Sequence, residues 1–291
     1  MVTGKVCTFP FMDIGKPSRT ALATAAARAA HLVVDHSPHL LRDTVAAPLL
    51  GGLAEEIIGY HRAHGDHLLL AGTRALTTAR AHYTERRVAE SGASQYVILG
   101  AGLDTFAYRC DGGVRVFEVD HPATQEWKRT LLAAAGLSPR GEVVHVPVDF
   151  EADDPWRALA AAGLDPHRPA LVSWLGVSVY LTSEAIGATL AGLAALAEGS
   201  ELVMEYLLPP ALRDAAGDAY AAHAAQAVAE RGEPYLTFLT PGETERLLAG
   251  HGLTVVEDVG LRDAVPAACW QRDDALRPFE FARLVRATLR R

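Results

Sequence analysis

An α/β fold built on a mostly parallel sheet is what this sequence predicts, and three observations carry the prediction. From Gln95 onward, short apolar runs rich in β-branched and aromatic residues alternate with alanine-rich helical segments. Runs that are apolar throughout, rather than alternating, suit strands buried on both faces in parallel βαβ units. The first run leads straight into Gly100-Ala101-Gly102, and the second ends on Glu118-Val119-Asp120. A glycine turn after strand one and an acid at the tip of strand two meet at the carboxyl end of such a sheet, where ligands bind.

The elements follow in order. Residues 1–17, with Pro10, Gly15 and Pro17, read as an irregular lead-in, and Ser18 stands as an N-cap before TALATAAARAAHLVV. Segments 43–65 and 73–91 have helical composition, and Ser91-Gly92 closes an all-helical first third. Five strands are expected at QYVIL (95–99), VRVFEV (114–119), EVVHVPV (142–148), ALVSWLGV (170–177) and ELVMEYL (201–207), with helical segments at 121–136, 151–163 and 183–198. A proline-bounded helical insertion (208–240) precedes the helix PGETERLLAGHG and the strand LTVVEDV (253–259). The final FEFARLVRATLRR fits helix or strand by periodicity, and a seventh, antiparallel strand is expected because it completes a familiar pattern. The expected division is a helical cap or lid over 1–91 and a Rossmann-like core over 92–291.

Composition excludes several classes. The 291 residues are 49% hydrophobic and 21% charged, an ordinary globular balance able to bury a large core. A formal charge of -8, with no basic run beyond pairs such as Arg86-Arg87 and Arg290-Arg291, argues against nucleic acid as a partner. The three cysteines, Cys7, Cys110 and Cys269, form no CxxC pair, which speaks against disulfides or zinc and for a cytoplasmic setting. Neither a secretion signal nor an apolar stretch of membrane-spanning length is read, so no membrane association is expected.

The glycine loop also carries a clue to its ligand. A pyrophosphate prefers G-x-G-x-x-G, but the third glycine position holds Thr105 and is preceded by Asp104. A carboxylate beside phosphates is repelled, whereas beside a cation it is attracted. S-adenosylmethionine carries a sulfonium and an ammonium and no phosphate, so G-A-G-L-D-T suits it better than NAD. An NAD-dependent oxidoreductase remains the competing enzyme reading, without the Tyr-x-x-x-Lys relay that it would favour.

VILGAGLDTFAYR (97–109), FEVDHP (117–122), SWLGVSVYLT (173–182) and the helix segment around Arg80 resemble the leucine carboxyl methyltransferase family, over about residues 18–206. These are class I S-adenosyl-L-methionine-dependent O-methyltransferases. They include phosphatase-modifying enzymes and bacterial small-molecule relatives of the tetracenomycin type. The resemblance implies that Arg80 holds the cofactor carboxylate, Gly100, Ala101 and Gly102 approach the methionine moiety, and Asp104 lies beside it. It further implies that Asp120 accepts from the ribose and that Asp149 and Phe150 frame the adenine. Two positions depart from the family pattern. Leu175 stands where a glutamate is common, leaving the carbonyls of Leu175 and Gly176 to make that contact. Ser18 stands where a basic residue is common, with Arg19 a possible substitute. Both departures point to the small-molecule branch, and so to natural-product chemistry.

Methyl transfer needs alignment of nucleophile, methyl and sulfur above all. A carboxylate acceptor is ionised and needs no base; a hydroxyl acceptor needs one. The catalytic residue therefore stays open, as do the acceptor and the oligomeric state. His61, His64 and His67 have ligand-like spacing but lack acidic or thiol partners, so no metal is expected. His223, Tyr180 and Trp174 are candidates for an acceptor pocket. The insertion, with Tyr206, Tyr220 and Tyr235 nearby, would cover an apolar or aromatic small molecule. A protein C-terminal carboxylate as acceptor, or cofactor binding without transfer, are the alternatives.

Overall fold

The computed structural model describes residues 18–229 and 234–290, so the lead-in over 1–17 (with Cys7), residues 230–233 of the insertion and Arg291 lie outside the described residues. The strands are β1 (Gln95–Leu99), β2 (Arg115–Asp120), β3 (Val143–Pro147), β4 (Ala170–Trp174), β5 (Glu201–Leu207), β6 (Leu253–Gly260) and β7 (Ala282–Leu289). They form one seven-stranded sheet in the order β3-β2-β1-β4-β5-β7-β6. Strands β1 to β5 pair in parallel, while β7 runs antiparallel to both β5 and β6. The C-terminal stretch is thus a strand, as expected. β4 stops at Trp174 rather than 177, because Gly176 takes a positive φ of 67° and turns the chain out of the sheet.

The two faces of the sheet bury different sets of residues. Val97, Leu99, Phe117, Val119, Val172, Trp174 and Met204 point into one core, packed by α7 (Pro155–Ala161), α8 (Ser183–Leu193) and α10 (Pro241–Gly250). Tyr96, Ile98, Val116, Leu171 and Val203 face the other way, toward the N-terminal helices. Those are α1 (Arg19–Val34), α2 (Ala46–Leu50), α3 (Ala54–His64) and α4 (Leu68–Ser91). The helix expected over 43–65 is broken at 51–53 by a 3-10 turn, where Gly51 has a φ of 53°. Ser18 caps α1 as predicted, its side chain accepting from Ala21 N.

α4 crosses the sheet over β5 and β6. Arg80, Tyr83 and Arg87, spaced to share one helix face, bond to Glu205, Glu257 and Glu201 respectively. After β5, α9 (Ala215–Ala229) forms the helical part of the insertion, and its Tyr220 packs on Phe279 and Phe281. Among the described residues no helix is long and apolar enough to cross a membrane.

Candidate functional site

A cavity of about 510 Å³ opens at the carboxyl ends of β1, β2 and β4. Its wall includes Arg80, Gly100, Ala101, Gly102, Asp104, Asp120, Asp149, Phe150, Leu175 and Gly176, so the structure brings all ten predicted residues together. Gly100 turns with a φ of 74°, and a Cβ there would lie 2.1 Å from Val177 Cγ2. Only glycine fits. The N–H groups of Gly100 and Ala101 both donate to Val119 O, which ties the loop to the tip of β2.

Asp120 closes this turn. Its Oδ2 accepts from Gly102 N at 2.6 Å and its Oδ1 from His121 N at 2.7 Å, so the carboxylate is fixed with lone pairs to spare. Burial pushes its pKa above the ordinary carboxyl value, and the two N–H donors offset only part of that rise. Asp104 Oδ1 accepts from Phe106 N, so one of its oxygens holds the loop. Asp149 accepts from Glu151 N. The N-cap of α7 is Asp154, whose side chain accepts from Trp156 and Arg157 N. Asp149 therefore does not cap α7.

Arg80 reaches in from α4. Its guanidinium lies against Gly176, where a Cβ would stand 2.8 Å from Nη1, and Nη1 donates to Glu205 Oε2 at 2.5 Å. Glu205 is 2% exposed, and its other oxygen, Oε1, has no hydrogen-bond partner.

The leucine carboxyl methyltransferase family model matches residues 21–194. A Bacillus subtilis (strain 168) protein named "Putative S-adenosyl-L-methionine-dependent methyltransferase YktD" is 31% identical, over 95% of this chain and 99% of its own. The chain belongs to the leucine carboxyl methyltransferase family. Membership makes it an S-adenosyl-L-methionine-dependent methyltransferase. A Mycolicibacterium paratuberculosis protein with the same designation but no gene symbol is 34% identical over 216 residues, 68% of each chain. A solved structure of a DUF574 family protein from Streptomyces avermitilis shares the fold, with a TM-score of 0.58 at 20% identity, over 91% of this chain and 97% of that one.

Several other candidate residues fall elsewhere in this leucine carboxyl methyltransferase family member. Trp174 is a core residue with no exposure and does not line the cavity, because it points to the α8 side of the sheet. His223 is exposed on α9 beside His67, and Tyr206 and Tyr220 are buried away from the cavity. Tyr180 does line it, with Tyr235 packed behind at 5.6 Å between ring centres. His61, His64 and His67 diverge: His61 is buried against Arg74, His64 lies tilted against the Tyr60 ring, and His67 caps α4. Among the described residues no group of three or more His, Cys, Asp or Glu side chains is placed to hold a metal. Burial beside Arg74 lowers the His61 pKa to about 4, so this histidine is neutral at pH 7.

Sequence reasoning missed Thr24, Arg28 and Thr77 as cavity residues, and Leu236 beyond the insertion helix; Ser18, read as a departure from the family pattern, lines the cavity too. It also missed Tyr96 and Ser173, hydrogen-bonded to each other at 2.9 Å beneath the glycine loop. The two-residue period of a strand could have found them, since Tyr96 and Ser173 are the polar residues that β1 and β4 turn toward the N-terminal helices.

Proposed function

We propose that this protein transfers the methyl group of S-adenosyl-L-methionine to an oxygen, carboxylate or hydroxyl, of a small apolar or aromatic molecule. The observation that carries the proposal is the two-part wall of the cavity. Polar loops after β1, β2 and β3 form one side; Tyr180, Leu181, Pro234 and Leu236 form the other. The first side fits the donor. Gly100 and Gly102 bring backbone close, Asp120 is fixed to accept from ribose hydroxyls, and Asp149 and Phe150 supply an acceptor and an apolar face for adenine. Asp104, Asp120, Asp149 and Glu151 make this wall acidic, which favours a cationic ligand.

The second side fits an apolar acceptor, and residues 18–91 act as the cap that shields it from water. When bound, the donor supplies an electrophilic methyl on sulfur. The residues around it need only align the acceptor and exclude water. Calorimetry with S-adenosylhomocysteine tests the donor site. Transfer of a labelled methyl group to a panel of carboxylic acids and phenols tests the acceptor. A base-labile product marks an ester and a base-stable product an ether. Transfer to peptide C-termini but to no small molecule would sink the proposal.

A further inference from the structure

Arg80 lines the cavity where the family resemblance puts the amino-acid end of the donor, and Glu205 stands directly behind it. Arg80 lines the cavity with its side chain 14% exposed, while the Glu205 side chain behind it is 2% exposed. One Arg80 nitrogen is bonded to Glu205, and among the described residues no other hydrogen bond from its guanidinium is present. Glu205 likewise uses one oxygen and leaves Oε1 buried without a donor. A buried acceptor left unsatisfied is unfavourable unless a ligand supplies the missing hydrogen bond.

We infer that Glu205 is the acid that receives the α-ammonium of the donor, beside the α-carboxylate that the family resemblance assigns to Arg80. The inference rests on the function proposed above. The methionine end of the donor is a zwitterion, so its best complement is an adjacent cation and anion, each with free valences. Here those are the remaining donors of Arg80 and Oε1 of Glu205. With the ligand, the four charges alternate and sum to zero, as a partly buried site requires.

Strand register explains why the acid sits on β5. The β4–β5 pairing runs from Leu171–Glu201 to Trp174–Met204, so Leu175 follows the last pair on the side of Glu205. Val203 and Leu175 both pack in the core under α4, so Glu205, two residues after Val203, shares that face. The anion that Leu175 cannot provide stands one strand over. Gly176 keeps Arg80 low enough to reach it.

Calorimetry on the full chain tests this with three probes: S-adenosylhomocysteine, its analogue with hydrogen in place of the α-ammonium, and its decarboxylated analogue. Glu205→Gln should bind S-adenosylhomocysteine about ten-fold more weakly, the loss of one charge-assisted bond, and bind the deaminated analogue as the unaltered protein does. Arg80→Gln should spare the decarboxylated analogue instead. Leu175→Glu added to Glu205→Gln should restore affinity, and it keeps the test sound if the single variant is poorly folded. Equal weakening of S-adenosylhomocysteine and its deaminated analogue by Glu205→Gln would overturn the inference. So would no weakening at all in a chain that binds S-adenosylhomocysteine. A chain that binds no S-adenosylhomocysteine in any form overturns the functional reading as well.

Discussion

Asp43 and Glu205 are both buried carboxylates beneath the N-terminal helices, each within reach of arginine, yet their oxygens are used differently. Asp43 Oδ1 accepts from Val45 and Ala46 N and lies 3.3 Å from Arg109 Nε; its Oδ2 accepts from Arg28 Nε and Thr105 Oγ1. Every valence is filled from within the protein. Arg28 extends the network by donating to Leu103 O, so two residues of the glycine loop are tied to α1 and the segment before α2. Glu205 has one partner and one empty oxygen. The closed network holds the loop in shape. The open pair is left with capacity for something that is not protein.

The largest expected effect lies on the closed side. Asp43→Ala leaves Arg28 and Arg109 without their shared carboxylate and should lower unfolding free energy by about 3–5 kcal/mol, read from urea denaturation. A loss below about 1 kcal/mol would mean that the network is not an anchor. Next is Asp120→Ala, which removes two proposed charge-assisted bonds to ribose and should weaken S-adenosylhomocysteine binding roughly 100-fold in calorimetry. Unchanged binding would remove Asp120 from the site. Gly176→Ala forces a methyl against Arg80 Nη1 at 2.8 Å and strains a φ of 67°. It should weaken binding about ten-fold while leaving the decarboxylated analogue untouched, which separates displacement of Arg80 from general damage.

The smallest effects are in pH dependence: stability and binding both weaken as pH falls, but the pKa shifts behind them run in opposite directions. Burial alone would raise the Asp43 pKa, but Arg28 and Arg109 hold it below the ordinary value. Its stabilising contribution is therefore complete above the unfolded carboxyl value, about 3.9, and is lost as pH falls below that. Urea midpoints of the unaltered protein should fall over that acid range more steeply than those of Asp43→Asn. Asp120, by contrast, has its pKa raised by burial, and in its proposed role the ionised form is the stronger acceptor for the ribose hydroxyls. Affinity for S-adenosylhomocysteine should therefore begin to fall at a higher pH than an exposed carboxyl would give. An affinity flat down to pH 4 would contradict this.

What is legible in the sequence follows the same division. The loops after β1 and β2 are close together in the chain, so Gly100, Gly102 and Asp120 read together from the sequence alone. Arg80 and Glu205 are 125 residues apart and meet only because α4 crosses β5. ELVMEYL reads as a plain buried strand, and nothing local separates Glu205 from Glu201, which pairs with Arg87. β4 ends earlier than its apolar run suggests because Leu175 and Val177 are good strand residues, and the positive φ of Gly176 between them leaves no periodic trace. The turn that divides 43–65 does have a local mark, the pair Gly51-Gly52, which the helical composition around it outweighed.

The position of β7 has a consequence for how this site comes into being during synthesis. β7 fills the gap between β5 and β6, yet it is made after both. Until Ala282–Leu289 has left the ribosome, the edge of β5 that carries Glu205 has no neighbour on that side. The strand backing Arg80 thus stays an open edge, exposed to wrong pairings, through translation of about 75 residues beyond it. The proposed donor pocket would be among the last parts of the molecule to be completed, although most of its recognisable motif is made in the first half.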